Sequence, residues 1–193
     1  MSRQREFDTE ATVGAAMRLF QQKGFDGTSM QDLVDATGVG RGSLYAAFGD
    51  KEGIYLAALD RYNEDFSTPL IELLHQGASV RDVLVKTMMS VVDSAIGDGT
   101  RHACLIVTSA TQSIADDIAV SSRINAATGE LEEALREVVS EGQRRGEISA
   151  DRSPSDIARF LGSTTHGIRV SAAINPDRAT LTTIAEMAVA AVL

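Results

Sequence analysis

The chain has 193 residues, 44% of them hydrophobic, and a formal net charge of −9. That is enough to bury a core in one domain or two small ones. A single cysteine, Cys104, excludes a disulfide framework within the chain, and the opening MSRQREFDTE has no apolar signal core, so a soluble cytoplasmic protein is expected.

Ala, Leu, Glu, Arg and Gln recur throughout, and alternating β-branched runs are nearly absent. An all-α fold is expected. The first helix is marked by Val13, Ala16, Met17 and Phe20, spaced i, i+3, i+4, i+7, and it stops at Lys23-Gly24. Thr28-Ser29 opens a second helix in which Ser29 and Asp32 form a capping box, and Met30, Leu33 and Val34 make its apolar face. Gly38-Val39-Gly40 is a joint of two or three residues, followed by a short helix from Arg41 to Phe48 with Leu44 and Phe48 facing inward. Asp50 caps a fourth helix that runs to about Asp65. Further helices are expected over 69–76, 80–96, 101–111, 114–145, 155–174 and 177–193, with breaks at Gly97-Asp98-Gly99, Gly146 and Asn175-Pro176.

Two short helices joined by a tight glycine turn with an apolar residue in it are a helix-turn-helix. The excess of acid argues by itself against nucleic acid. The charge is uneven, however: residues 1–61 carry seven Lys/Arg against nine Asp/Glu, and the remainder 11 against 18. A local patch decides contact, whatever the global charge.

The stretch from Phe20 to Leu59 resembles the tetracycline-repressor (TetR) family of bacterial transcriptional regulators. The resemblance lies in Gly24-Phe25-Asp26-Gly27-Thr28, Asp32-Leu33, Gly38-Val39, Ser43-Leu44-Tyr45-Ala46-Ala47-Phe48 and Lys51-Glu52-Gly53-Ile54. It covers about the first 60 residues; beyond them the likeness is architectural. Two departures stand out. Gly40 occupies a position where the family usually has Ser, which loosens the helix start by a few tenths of a kcal/mol. Ala46-Ala47 replaces bulkier residues, so fewer side chains reach a groove.

On this reading residues 1–49 are a three-helix DNA-binding domain, and residues 50–193 form a larger helical domain for ligand binding and dimerisation. Arg41 is expected to reach a guanine edge or a phosphate, with Gly42 and Ala46 on the same outward face. Ser43 and Tyr45 would hydrogen-bond to phosphate oxygens. Lys51 would meet phosphate in the first turn of the fourth helix, and Thr28 would do so with its hydroxyl at the second helix start. Gln31 is placed within reach of the DNA backbone. Arg3 and Arg5 either enter a neighbouring groove or belong to a loose terminus.

What the resemblance implies is a homodimeric repressor, released from a palindromic double-stranded operator when a small-molecule effector of unknown identity binds. The fourth helix, shared between the domains, would be the lever. The candidate pocket residues are Phe66, Met88, Val92, Cys104, Val107, Phe160 and His166, which would serve equally as packing core. Phe160, Leu161, Ile168, Leu181, Ile184 and Ala188 on the last two helices are the candidate dimer interface, where small residues such as Gly162 and Gly167 permit close approach.

No cofactor, metal or enzyme chemistry is expected. His75, His102, His166 and Cys104 are scattered without metal-ligand spacing. Asp116-Asp117 and the acids from Glu130 to Glu137 read as a solvated helix face. GVGRGS lacks the preceding strand of a phosphate cradle. Two alternatives remain open at this point: a ligand-binding protein or all-α enzyme with a vestigial DNA-binding domain, and a purely structural dimerisation module.

Overall fold

The computed structural model describes residues 7–77, 79–97 and 104–193. Its α-helices are α1 Thr9–Lys23, α2 Met30–Thr37, α3 Arg41–Phe48, α4 Lys51–Tyr62, α5 Thr68–Leu74, α6 Val80–Ile96, α7 Leu105–Ser109, α8 Ile118–Arg145, α9 Pro154–Ile174 and α10 Arg178–Ala190. A π-helical turn, Asn63–Ser67, joins α4 to α5, and a 3-10 turn, Ser113–Asp116, precedes α8. Among the described residues there is no strand. The fold is all-α, as the sequence implies.

Local chemistry sets most of the helix limits. Asp8 caps α1 by accepting from the Ala11 N–H at 3.1 Å. Ser29 and Asp32 form the reciprocal capping box of α2. Gly38 closes α2 at φ 68°, a left-handed conformation that suits a residue without Cβ. Asp50 caps α4 through the Gly53 N–H at 2.8 Å. The fourth helix is shorter than expected, because the chain passes into the π-helical turn at Asn63. The helix expected over 114–145 is divided at Asp117, whose backbone is extended and whose carboxylate caps α8 through the Val120 N–H at 2.9 Å. Of the helix expected over 101–111 the described part is α7; Arg101 and His102, like Arg3, Arg5, Asp98 and Gly99, lie outside the described residues.

The chain divides into two compact units. The first comprises the residues up to Glu64 together with Leu105–Ile124, and the second comprises Asp65–Cys104 and Asn125–Leu193. The first unit is thus larger than the 1–49 span expected, because α4 packs against α1 and buries Ile54, Tyr55, Ala58 and Leu59. Its centre is aromatic. Tyr55 meets Phe20 edge-on at 4.8 Å between centroids and Phe25 at 5.1 Å. The buried Tyr55 hydroxyl shares a 2.7 Å hydrogen bond with Ser109 at the end of α7. Burial holds the Tyr55 phenol above its ordinary pKa, and the Ser109 bond works against that shift.

The core of the second unit is drawn from α6 (Leu84, Met88, Val91, Val92), α8 (Leu135, Val139), α9 (Leu161, Ile168) and α10 (Leu181, Ala185). Each Val, Leu, Ile or Met among them, fully buried, contributes roughly 1.5–3 kcal/mol.

Candidate nucleic-acid interface

The interface is built from the glycine joint outward. α3 leaves Gly40 with helical hydrogen bonds to the Gly40 carbonyl from Ser43 and Leu44, at 2.9 and 3.1 Å. Gly40 supplies no side-chain cap. Leu44 is fully buried and holds α3 to the core of the unit. Phe48 is only half-buried, with the Phe7 ring 6.5 Å away. With Leu44 turned inward, Arg41, Gly42, Tyr45, Ala46 and Ala47 are exposed, and Ser43 is half-buried.

The Tyr45 side chain is 43% exposed, one of the few large apolar groups left outside. At the start of α3, Arg41 lies 3.5 Å from the Gln31 side-chain oxygen, while the Gln31 amide donates to Asp35 at 2.9 Å. Arg41, Gln31 and Tyr45 therefore belong to one exposed surface made by α2 and α3, where a duplex can meet both planar donors and a phenol.

Two of the expected contact residues are engaged inside the unit, and for Thr28 this excludes the contact. Thr28 is 2% exposed, and its hydroxyl donates to the Gly24 carbonyl at 2.6 Å. The hydroxyl closes the link between α1 and α2 and is not presented to a ligand. Lys51 is half-buried, and its ammonium donates to the carbonyls of Phe25 and Thr28, each at 3.0 Å, while lying 3.9 Å from the centroid of the Phe25 ring. An ammonium has three donors. Two are spent inside the unit, so Lys51 is first a tie between α4 and the α1–α2 link.

Sequence reasoning missed the residues that secure that link from the far side. Gln112 accepts from the Phe25 N–H at 2.6 Å and from the Asp26 N–H at 3.4 Å. The Asp26 carboxylate accepts from the Ser113 N–H at 3.0 Å and from the Ser113 hydroxyl. The Ser113 bonds hold the Asp26 carboxyl below its ordinary pKa. Lys23 and Ser29 do the same to Asp32, more strongly. The partners are some 87 positions apart, and no local pattern announces them.

The candidate pocket residues stand in different settings. Met88 and Val92 are fully buried core residues. Val107 belongs to the first unit, and Phe160 is 45% exposed. Cys104 Sγ is 4.0 Å from His166 Nδ1, and the Arg169 guanidinium lies over the Phe66 ring, 5.2 Å from its centroid.

The candidate dimer residues are corrected in the same way. Leu161, Ile168, Leu181 and Ala188 are buried within the chain, and Ile184 packs against that core. Phe160 is the exception. It begins an exposed line on α9 through Ser163, Gly167, Val170 and Ile174, spaced alternately three and four apart. Met187 on α10 is 67% exposed. Alternating steps of three and four are the spacing found in the seams of packed helix pairs.

Among the described residues no group of three or more His, Cys, Asp or Glu side chains could hold a metal ion, and no helix is long and apolar enough to cross a membrane.

Residues 13–58 match the family model for bacterial regulatory proteins of the tetR family, and residues 85–193 match the model for the C-terminal part of BetI-type transcriptional repressors. The HTH-type transcriptional repressor ComR of Escherichia coli (strain K12) is 30% identical over 171 residues, covering 88% of this chain and 81% of ComR. The HTH-type transcriptional regulator YezE of Bacillus subtilis (strain 168) is 28% identical over 178 residues, covering 92% of each chain. A solved cysteine mutant of the TetR family regulator CifR, complexed with 26bp double-strand operator DNA, superposes with a TM-score of 0.88 at 28% identity, over 100% of both chains.

Proposed function

This chain belongs to the tetR family of bacterial regulatory proteins, and from that premise we propose that it is a homodimeric repressor that leaves a palindromic operator when a small molecule binds its second unit. The observation that carries the DNA-binding part is the exposed face of α3, where Arg41, Gly42, Tyr45 and Ala46 stand outward around a fully buried Leu44. The exposed stripe on α9 supports pairing with a second copy, which would set two recognition helices one helical turn of DNA apart, about 34–36 Å.

Release follows if the effector binds better to a state whose recognition helices are wrongly spaced. A coupling of about 1–3 kcal/mol is sufficient for a useful response. Lys51, which joins α4 to the α1–α2 link, makes the geometry of the reading surface depend on α4.

The test is selection of bound fragments from a random duplex library at two salt concentrations. Recovery of a palindrome with half-sites at major-groove spacing supports the reading. Recovery of unrelated fragments that are lost at moderate salt overturns it, because such binding is phosphate attraction alone.

A further inference from the structure

We propose that Gln31, braced by Asp35, is a positioning residue that holds Arg41 on a guanine, so that one G·C pair in each operator half-site is read through these three side chains. This rests on the operator-binding reading above and names the base that α3 recognises.

The centre of the outward face of α3 carries no hydrogen-bonding side chain. Leu44 is the fully buried anchor. Gly42 and Ala46 stand two residues to either side of it, and at about 100° per residue both lie opposite it. Hydrogen-bond readout therefore falls to the flanks of the face. Ser43 and Tyr45 each carry one hydroxyl, whereas Arg41 is the side chain of α3 that can span two acceptors at once. A guanidinium does this with O6 and N7 of guanine, and the first residues of a recognition helix are those that meet base edges.

The placement of charge is a second observation. Arg41 is the first residue of α3, and Asp35 lies in the last turn of α2. A cation at a helix start and an anion at a helix end both oppose the helix dipole. Neither charge is placed to stabilise its own helix. Gln31 connects the two: its amide donates to Asp35 Oδ1 at 2.9 Å, and its Oε1 accepts from Arg41 Nη2 at 3.5 Å. The amide fits only this way round, because the opposite orientation would set its oxygen against the carboxylate and its N–H groups against the guanidinium. All three residues are exposed.

Exposed contacts of this kind add little to stability. Their effect is on orientation. Arginine carries large rotamer freedom, and a side chain already held near its bound direction loses less of it on binding. A guanidinium has five N–H donors, so one spent on Gln31 leaves a two-donor edge for a base. The Asp35 charge, one side chain away, weighs against phosphate as the ligand of Arg41 and leaves a neutral base unaffected.

The experiment takes the operator recovered by selection and measures competition by duplexes altered at one base pair at a time, at matched salt, with Tm and the helical signal as controls. The parent is expected to reject replacement of one G·C pair per half-site by roughly five- to a hundredfold. Arg41→Ala should level that position. Gln31→Ala should cut the preference there by about threefold or more. It should leave the other positions and the salt dependence unchanged, because it removes no phosphate contact. Asp35→Ala should weaken the same guanine preference while tightening binding to all sequences, since an anion leaves the face.

The proposal is overturned if the operator holds no guanine whose preference Arg41→Ala removes, or if Gln31→Ala or Asp35→Ala keeps that preference in full. It is overturned if Gln31→Ala relaxes an A·T pair instead, which would make Gln31 a reader of adenine. It is overturned if Arg41→Ala lowers the salt slope by about one unit with no change in base preference, which would make Arg41 a phosphate contact. A selection that yields no operator removes the operator-binding reading and this proposal with it. An operator bound without that guanine removes this proposal alone.

Discussion

Lys51 is bound to Phe25 twice: its ammonium lies 3.9 Å from the centroid of the aromatic ring and donates to the backbone carbonyl of the same residue at 3.0 Å. With the second carbonyl bond, to Thr28, the first residue of α4 fastens the link that enters α2. Lys51→Met keeps the stem and removes the donors. It should lower stability by about 2 kcal/mol, a Tm loss of roughly 4–8 °C. A thermal melt of the variant checks this. An unchanged Tm would mean that the tie is idle and that Lys51 serves DNA alone.

Gly42 offers a test in which two readouts move in opposite directions. A Cβ built at Gly42 meets nothing within 4 Å, and the residue is helical. Gly42→Ala should therefore raise stability by about 0.5–1 kcal/mol. If the backbone of α3 approaches DNA closely, the same methyl should weaken operator binding by about tenfold, or ~1.4 kcal/mol. Paired unfolding and binding titrations decide the matter. A variant that is more stable and binds as tightly as the parent places Gly42 away from the duplex.

Tyr45 makes a complementary case. Because it is 43% exposed, Tyr45→Ala should leave stability within about 0.5 kcal/mol. Operator affinity should fall by about tenfold through the lost phosphate contact. Comparing Kd values at matched salt, with the helical signal as a control, checks the prediction.

The pH response of the first unit follows from Asp26 and Asp32, whose carboxyls are both held below their ordinary pKa by hydrogen bonds, from Ser113 for Asp26 and from Lys23 and Ser29 for Asp32. A depressed folded-state pKa means that the unfolded chain takes up protons first as pH falls. The stabilisation is complete above the unfolded value of about 4 and is lost as pH drops through the folded values. Asp26→Asn should unfold earlier at neutral pH and show a flatter stability curve below about pH 4. Chemical denaturation from pH 7 to pH 3 measures both. A curve parallel to that of the parent would mean that Asp26 takes no part in the acid response.

The readable features were those whose causes are close together in the chain. The Ser29–Asp32 box, the Gly38 turn and the limits of α3 each rest on a few adjacent residues, and all three were legible. At Thr28 the sequence context is the same for a hydroxyl that closes a turn onto Gly24 as for one that faces solvent. Gln112 and Ser113 gave no signal, since their partners at Phe25 and Asp26 are some 87 residues away. On α9 the periodicity was present but double-sided. Leu161 and Ile168 belong to the face turned into the chain's own core, while Phe160, Val170 and Ile174 belong to the outward one. Arg169 hid for a related reason: a charge in an amphipathic helix reads as solvated, and only the packed structure reveals it as buried.

The first unit is assembled from two separate stretches, and this has a consequence for its manufacture. When Glu64 leaves the ribosome, the residues that will hold Phe25, Asp26 and Tyr55 have yet to be translated. The 40 residues Asp65–Cys104 come first. At ordinary synthesis rates that is a wait of about 2–8 s. During it the nascent reading head has its helices but lacks its far-side fastening. The same arithmetic warns against transplanting the head as a cassette: a fusion cut after Glu64 would carry every residue of α3 and leave behind Ser109, Gln112 and Ser113.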